Sequence, residues 1–435
     1  PRSGISATST TERNLYNMIE TVRVDEFLRV YKEHEEHVNA GKAALLQDAA
    51  FGIEKSAKGS WVTNTDDIEF LDCMVLFGSV GLGYGHPELQ QESKDIIDSG
   101  VPMGPRVMFN TYEGALAKRL AELTPGTLNA SFFCNSGAEA VEAGLKLARA
   151  ATGKTGIIAT HESFHGKTFG ALSVSGRGIY KENFEPLLPG VTLVPFGNIA
   201  AMEAAINETT AVVIIELIQG EGGINIAPKE YVQRLRQLCT ERGVLLFVDE
   251  VQTGLGRTGA LFACNHYDIE PDIMALAKIL SGGIVPIGAM ITTTKIFNAA
   301  YGENPLGHSC TYGGNALACG VGLKVLDILV RENLPEQARI SGEYILEQLK
   351  GLQREFPHII RECRGLGLLI GIELEKIEYG GFIMAEMRDR RVIVVYTMNQ
   401  PKVIRIEPPL NISRADINFM LRALRASLQA TSEMI

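Results

Sequence analysis

Three short segments combine residue types that do chemistry with the small or apolar neighbours needed to aim them. In Phe133-Cys134-Asn135-Ser136-Gly137-Ala138-Glu139-Ala140, Ser136 suits a helix N-cap, and small Gly137 and Ala138 let backbone N–H groups approach a ligand. The dipole of such a helix attracts an anion, phosphate above all, although a plain capped helix explains the segment at least as often. In the second segment the apolar run Val244 to Val248 delivers Asp249, followed by Glu250-Val251-Gln252-Thr253-Gly254. Open α/β sheets place ligands at that end of a strand, so Asp249 is either a cation's partner in a crevice or an acid in a solvated turn. In the third, Lys278 interrupts the run Ile273 to Leu280, just before Ser281-Gly282-Gly283. Most lysines are solvated, and a buried ammonium is costly unless paired or neutralised. This apolar setting favours the Schiff-base role, in which a neutral amine attacks a carbonyl. A phosphate cradle, a strand-end acid and an apolar-set lysine are together the parts of a pyridoxal phosphate (PLP) site.

Those parts must be carried by strands whose ends converge. Strands are predicted at Ser131–Cys134, Ile157–Thr160, Thr192–Pro195, Val212–Ile215, Val244–Val248, Ile273–Ala277 and Ala289–Thr292. Helices are predicted from Ser136 to about Ala151, at Ile199–Ile206 and at Lys229–Arg242. Such alternation predicts an α/β fold with a mostly parallel central sheet covered by helices. A long helix from about Asn315 to Glu332 leads to a smaller α+β domain with elements at Ile340–Glu355, Gly367–Glu373, Val392–Val395 and Ile404–Glu407. At the other end, an amphipathic helix is expected over Leu15–Val30 and a hairpin over Trp61–Cys73. The expected division is 1–75 as an N-terminal part of a discontinuous small domain, 76–318 as the large PLP-binding domain, and 319–435 as the rest of the small domain.

From about Ala49 onwards the chain resembles the class III (ω-) aminotransferases of PLP fold type I. The resemblance rests on Gly83-Tyr-Gly-His86-Pro87, Asn135-Ser-Gly-Ala-Glu139, Phe164-His165-Gly166, Gln219-Gly-Glu221-Gly-Gly, Asp249-Glu-Val-Gln252-Thr-Gly, Ala277-Lys278, Thr311-Tyr-Gly-Gly-Asn315 and Arg405-Ile-Glu-Pro408-Pro409. Pro195-Phe-Gly-Asn-Ile199 and Ile404-Arg-Ile-Glu-Pro-Pro-Leu410 resemble putrescine and ornithine aminotransferases most. The chain is also similar to the transaminase domain of prodigiosin-pathway proteins, which belongs to a longer, multidomain chain and aminates an aldehyde.

The resemblance implies that Lys278 bonds the cofactor aldehyde and shuttles the proton, and that Asp249 pairs with the pyridinium nitrogen. It implies Gln252 at the ring hydroxyl oxygen, Ser136, Gly137 and Ala138 at the phosphate, and Thr311 reaching that phosphate from a partner subunit. Phe164 takes the position that stacks on the ring, with His165 behind it. Glu221 takes the place of the acid that gates the substrate pocket, Arg405 that of the arginine that grips a carboxylate, and Phe77 a pocket wall. Implied with them are a homodimer and a primary amine or ω-amino acid exchanging its amino group with a keto acid or aldehyde by a ping-pong mechanism. Three positions depart from the pattern: Glu216-Leu217 where many relatives have Glu-Pro, Phe164 where many have tyrosine, and Phe77 where ornithine-type enzymes carry tyrosine. Aminomutation or decarboxylation on the same cofactor, and a non-catalytic phosphate-binding module, are the competing readings; aminated acceptor and a borohydride-bleached yellow colour separate them.

Composition narrows the field further. With 435 residues, 46% of them apolar and 21% charged, the chain is globular rather than disordered, and long enough for two or three domains. The balance of 41 Lys+Arg against 51 Asp+Glu, a net charge of −10, argues against nucleic acid as the main partner. Seven scattered cysteines without C-x-x-C spacing favour free thiols in the cytoplasm over disulfides or a zinc site, so no metal is expected. Residues 1–13 lack an apolar segment of the secretory kind, and the strongest apolar runs are of strand length, so neither a signal peptide nor a membrane span is expected.

Overall fold

The computed structural model describes residues 10–104 and 108–435. At its centre lies a seven-stranded sheet with the spatial order Ala130–Cys134, Gly288–Thr292, Ile273–Leu276, Leu245–Asp249, Thr210–Ile215, Gly156–Thr160, Val191–Val194. Gly288–Thr292 pairs antiparallel with both of its neighbours, and the other pairings are parallel. These are the seven strands expected from the apolar runs. Thr210–Ile215 is buried along its whole length, as an inner strand of a sheet covered on both faces must be.

Helix boundaries follow their caps. Gly137–Thr152 begins where the Ser136 side chain accepts from the Glu139 N–H, and ends at Gly153 in the left-handed conformation, φ 69°. Lys229–Arg242 and Ala316–Arg331 lie where predicted. The helix expected from Ile340 starts earlier, at Leu334, because Pro335 fits the first helical turn and supplies the start that hydrophobic spacing missed.

Two smaller sheets flank the central one. Trp61–Asn64 and Glu69–Asp72 form the expected hairpin, extended by the strand Glu54–Lys58. Val392–Val395, expected as one strand, is split. Val392–Ile393 pairs parallel with Glu69–Asp72 in the N-terminal sheet, and Val395–Tyr396 joins a four-stranded sheet with Ile360–Leu366, Leu369–Leu374 and Val403–Ile406. The chain's two ends are thus stitched through one short segment. Ile360–Leu366 escaped prediction because Arg361, Glu362 and Arg364 break its apolar pattern.

The N-terminal helix runs Thr10–His37, longer at both ends than the predicted Leu15–Val30, and its Val24 and Leu28 are exposed rather than packed in a core. Leu15, Met18, Ile19 and Val22, on which its amphipathic reading rested, have side chains outside the described residues. Among the described residues no helix is long and apolar enough to cross a membrane.

Candidate active site

Three strands of the central sheet end at one cavity of about 560 Å³. Ala130–Cys134 leads to Asn135-Ser136-Gly137-Ala138, Leu245–Asp249 supplies Asp249, Val251 and Gln252, and Ile273–Leu276 leads to Ala277-Lys278. Phe164 and His165 line the same cavity, together with Glu216, Leu76 and the apolar turn Ile284-Val285-Pro286-Ile287. Eight of the residues singled out in the sequence therefore meet in one place: Ser136, Gly137, Ala138, Phe164, His165, Asp249, Gln252 and Lys278.

Each is held by local structure. Gly137 and Ala138 open their helix, so neither N–H has an intrahelical carbonyl to donate to. Glu139 reaches back to accept from the Asn135 N–H at 2.7 Å, one residue before the cap rather than at it, leaving those two N–H groups to the cavity. A Cβ on Gly137 would stand 2.8 Å from Val251 Cγ1, so glycine is what lets the backbone sit against this wall. Asp249 is 5% exposed; one carboxylate oxygen accepts from the Val251 N–H at 3.0 Å and the other lies 2.7 Å from His165 Nδ1. The His165 side chain is fully buried, and its Nε2 has no partner among the described residues. Lys278 is half-buried rather than enclosed: it opens onto the cavity from a backbone at φ 44°, a region non-glycine residues rarely occupy.

A second layer of charge lies beside the cavity. Arg405 is fully buried, and its Nη1 donates to Glu221 at 2.7 Å. Its Nε faces Glu407 at 3.5 Å, and Glu407 also accepts from Gln252 Nε2 and lies 3.8 Å from Arg257 Nε. Burial pulls Arg257 down to about 10. The Phe77 ring lies 5.3 Å from the Arg405 guanidinium carbon, on a turn in which Val75, Leu76 and Phe77 all have positive φ. Asp72 accepts from the Met74 and Val75 N–H groups and from the Tyr84 hydroxyl, and so clamps that strained turn. Glu221, Arg405 and Phe77 are thus brought together with one another, adjacent to the cavity rather than on its lining. Thr311 is exposed and lies outside this cavity.

Sequence reasoning passed over Arg257 and Glu407, and took Glu216 only as part of a departure from the family pattern. Glu216 had the same signal as Asp249, an acid ending an apolar strand, and Glu407 lies two residues beyond Arg405 and so on the same face. Glu216 accepts from the Phe164 and Gly220 N–H groups, and burial, with Asp249 close by, pushes its pKa up to about 7. An acid raised from 4.5 to about 7 keeps its full contribution below pH 4.5, and stability is lost as pH rises towards 7, by about 3 kcal/mol in all. Glu216→Gln removes the charge but leaves its NH₂ facing one of the two N–H groups, so its melting temperature relative to the unsubstituted cofactor-free protein should rise from pH 4 to pH 8. A difference in melting temperature that stays the same at both pH values would contradict this.

The aminotransferase class-III family matches residues 46–428. The chain is a class III aminotransferase. Solved relatives span it almost completely. An (S)-enantioselective ω-transaminase from Thermomicrobium roseum is 30% identical, with 94% of this chain and 98% of that one covered and a TM-score of 0.87. An ornithine aminotransferase from Toxoplasma gondii, with PLP at partial occupancy, is 28% identical (94% and 98% covered, TM-score 0.84). An amine transaminase from an uncultivated Pseudomonas species, in its PLP-bound internal aldimine form, is 28% identical (87% and 94% covered, TM-score 0.80). The aminotransferase is a PLP-dependent enzyme acting on amine and keto acid substrates, and its fold is PLP fold type I. Its cavity fits the cofactor: two outward N–H groups suit a phosphate, a buried carboxylate suits a pyridinium, and a lysine opens beside them.

Proposed function

We propose that the aminotransferase transfers an amino group from a primary amine or ω-amino acid to a keto acid or aldehyde in two half-reactions, one substrate leaving before the next binds. The observation that carries this reading is the convergence of Lys278, Asp249 and the Ser136–Ala138 helix start on one cavity. PLP, when bound, supplies an aldehyde that condenses with amines and a protonated ring that draws electrons from the substrate carbon. The protein does the rest. The Gly137 and Ala138 N–H groups and the Ser136 hydroxyl hold the phosphate. Asp249, fixed by His165 and Val251, holds a proton on the ring nitrogen. Phe164 covers one ring face, and Gln252 addresses the ring hydroxyl oxygen. Lys278 Nζ would carry the proton in both half-reactions, from the donor's carbon to the cofactor in the first and from the cofactor to the acceptor's carbon in the second.

At the substrate end, Glu221 swings off Arg405 when a carboxylate needs the guanidinium, and returns when an amine without a carboxylate occupies the site. The planar fork explains arginine here, since two parallel hydrogen bonds grip a carboxylate. Phe77 supplies an apolar wall in place of a tyrosine hydroxyl, which favours simple amines over ornithine. We also propose a homodimer in which the exposed Thr311 reaches the other subunit's phosphate, and a cytoplasmic location, which the seven free thiols support.

A donor and acceptor panel with putrescine, cadaverine, ornithine, glutamate and long-chain aldehydes tests this reading. Stoichiometric aminated acceptor is expected with the diamines, and parallel double-reciprocal plots. Arg405→Lys, which keeps the charge and loses the fork, should raise KM for a 2-oxo acid about tenfold or more and leave the amine's KM alone. Decarboxylated or rearranged donor without aminated acceptor would overturn the proposal.

A further inference from the structure

The Arg405 guanidinium faces two carboxylates, and only one of them is placed to leave. Glu221 takes Nη1 at 2.7 Å, with its second oxygen on the Met398 N–H. Glu407 sits against Nε at 3.5 Å. It is fully buried, and both its oxygens lie 3.1 Å from Gln252 Nε2. The backbone of Gly78 presses on it so closely that a Cβ there would stand 2.2 Å from Glu407 Oε1. Glu407 therefore has no room to rotate away on that side. Across it stands Arg257, whose Nη1 donates to the Leu368 and Pro408 carbonyls and whose Nη2 donates to that of Gly78. The cluster thus holds two guanidiniums and two carboxylates, a balanced set in a dry volume.

We propose that Glu407 is the standing counter-ion of Arg405, and that it biases the enzyme towards substrates carrying no carboxylate at this end of the site. This rests on the reading of Arg405 as the carboxylate's partner. When Glu221 withdraws, Arg405 still has Glu407 beside its Nε. An incoming carboxylate then restores only the balance that Glu221 had provided and stands beside the fixed negative charge of Glu407, which Arg257 offsets from the far side. Only the Nη1–Nη2 end of the guanidinium remains for it, Nη2 having no partner among the described residues. A hydrocarbon chain or neutral group carries no charge for Glu407 to oppose, and Phe77 covers the guanidinium with an apolar face. Glu407 acts through Arg405 and touches no reacting atom, so it is a positioning and charge-balancing residue.

The test is a selective gain. In the PLP-loaded enzyme, Glu407→Gln should bind glutarate at least about tenfold more tightly by calorimetry, because one negative charge a few ångströms from the ligand is removed. Glutaramide, the uncharged analogue, should bind as before, and Glu407→Asp should keep the unsubstituted enzyme's weak glutarate binding. General damage weakens both ligands and cannot produce that pattern. Glutarate binding that is unchanged or weaker in Glu407→Gln, or an equal gain for glutaramide, overturns the proposal. Should Glu407→Gln not fold, the unsubstituted enzyme decides: a preference for glutarate over glutaramide below about tenfold is expected, and a larger one overturns the proposal. Arg405→Lys separates the two layers. If it leaves glutarate affinity untouched, the reading of Arg405 itself fails; if it lowers affinity while Glu407→Gln changes nothing, only the role of Glu407 fails.

Discussion

Lys278→Ala is expected to fold, to load PLP less tightly, and to lose nearly all turnover. The residue stands at the end of a strand buried at every position, Ile273–Leu276, and it supplies the only amine on the cavity lining among the described residues. Loss of a general base alone lowers rates by about 10²–10⁴-fold, and on the proposed reading the same atom also bonds the cofactor, so the fall should lie at or beyond the upper end. Folding should be spared for a local reason. The positive φ of 44° is as uncomfortable for alanine as for lysine, so the substitution neither relieves nor adds strain. The side chain, already open to the cavity, leaves no buried partner unsatisfied when removed. Steady-state kcat with a diamine, together with the cofactor's visible absorbance band, gives the readout. Turnover within tenfold of the unsubstituted enzyme would remove Lys278 from the mechanism.

The sequence made this residue visible because a lysine inside an apolar run has few bland explanations. Asp249 was visible as an acid ending such a run, and the seven central strands because a sheet covered on both faces needs near-continuous apolar runs. What stayed hidden was whatever depends on distant segments meeting. Glu407 looks like an ordinary strand-end acid until the fold sets Gln252 against it across 155 positions and Arg257 across 150. His165 read as a neighbour of the stacking aromatic, and only the geometry assigns its Nδ1 to Asp249. The split of Val392–Val395 between two sheets was likewise illegible, since four β-branched valines and isoleucines look the same whichever sheet they serve. Glu216 was legible and was noticed only as half of an unusual Glu-Leu pair.

Asp249→Asn should cost about 10²–10³-fold in kcat, by loss of a preorganised charge in a site largely shielded from water. Asp249 can serve the ring nitrogen because its other obligations are met: Val251 N–H occupies one oxygen and His165 Nδ1 the other, and each oxygen has a further lone pair to offer in the cavity it lines. An asparagine has one acceptor oxygen for those two donors. If that oxygen stays with Val251, its NH₂ confronts the His165 Nδ1–H, and the imidazole must move its proton to Nε2 so that Nδ1 can accept. That shift is measurable apart from turnover, because the two tautomers have distinct ¹⁵N signals, and Nε2 has no partner among the described residues to oppose it. His165→Phe should be milder, since it removes the brace and leaves the anion. The order of effects is therefore the test: a His165 substitution more damaging than Asp249→Asn, or an asparagine variant within about threefold of full kcat, would mean that the charge of Asp249 does not support the chemistry.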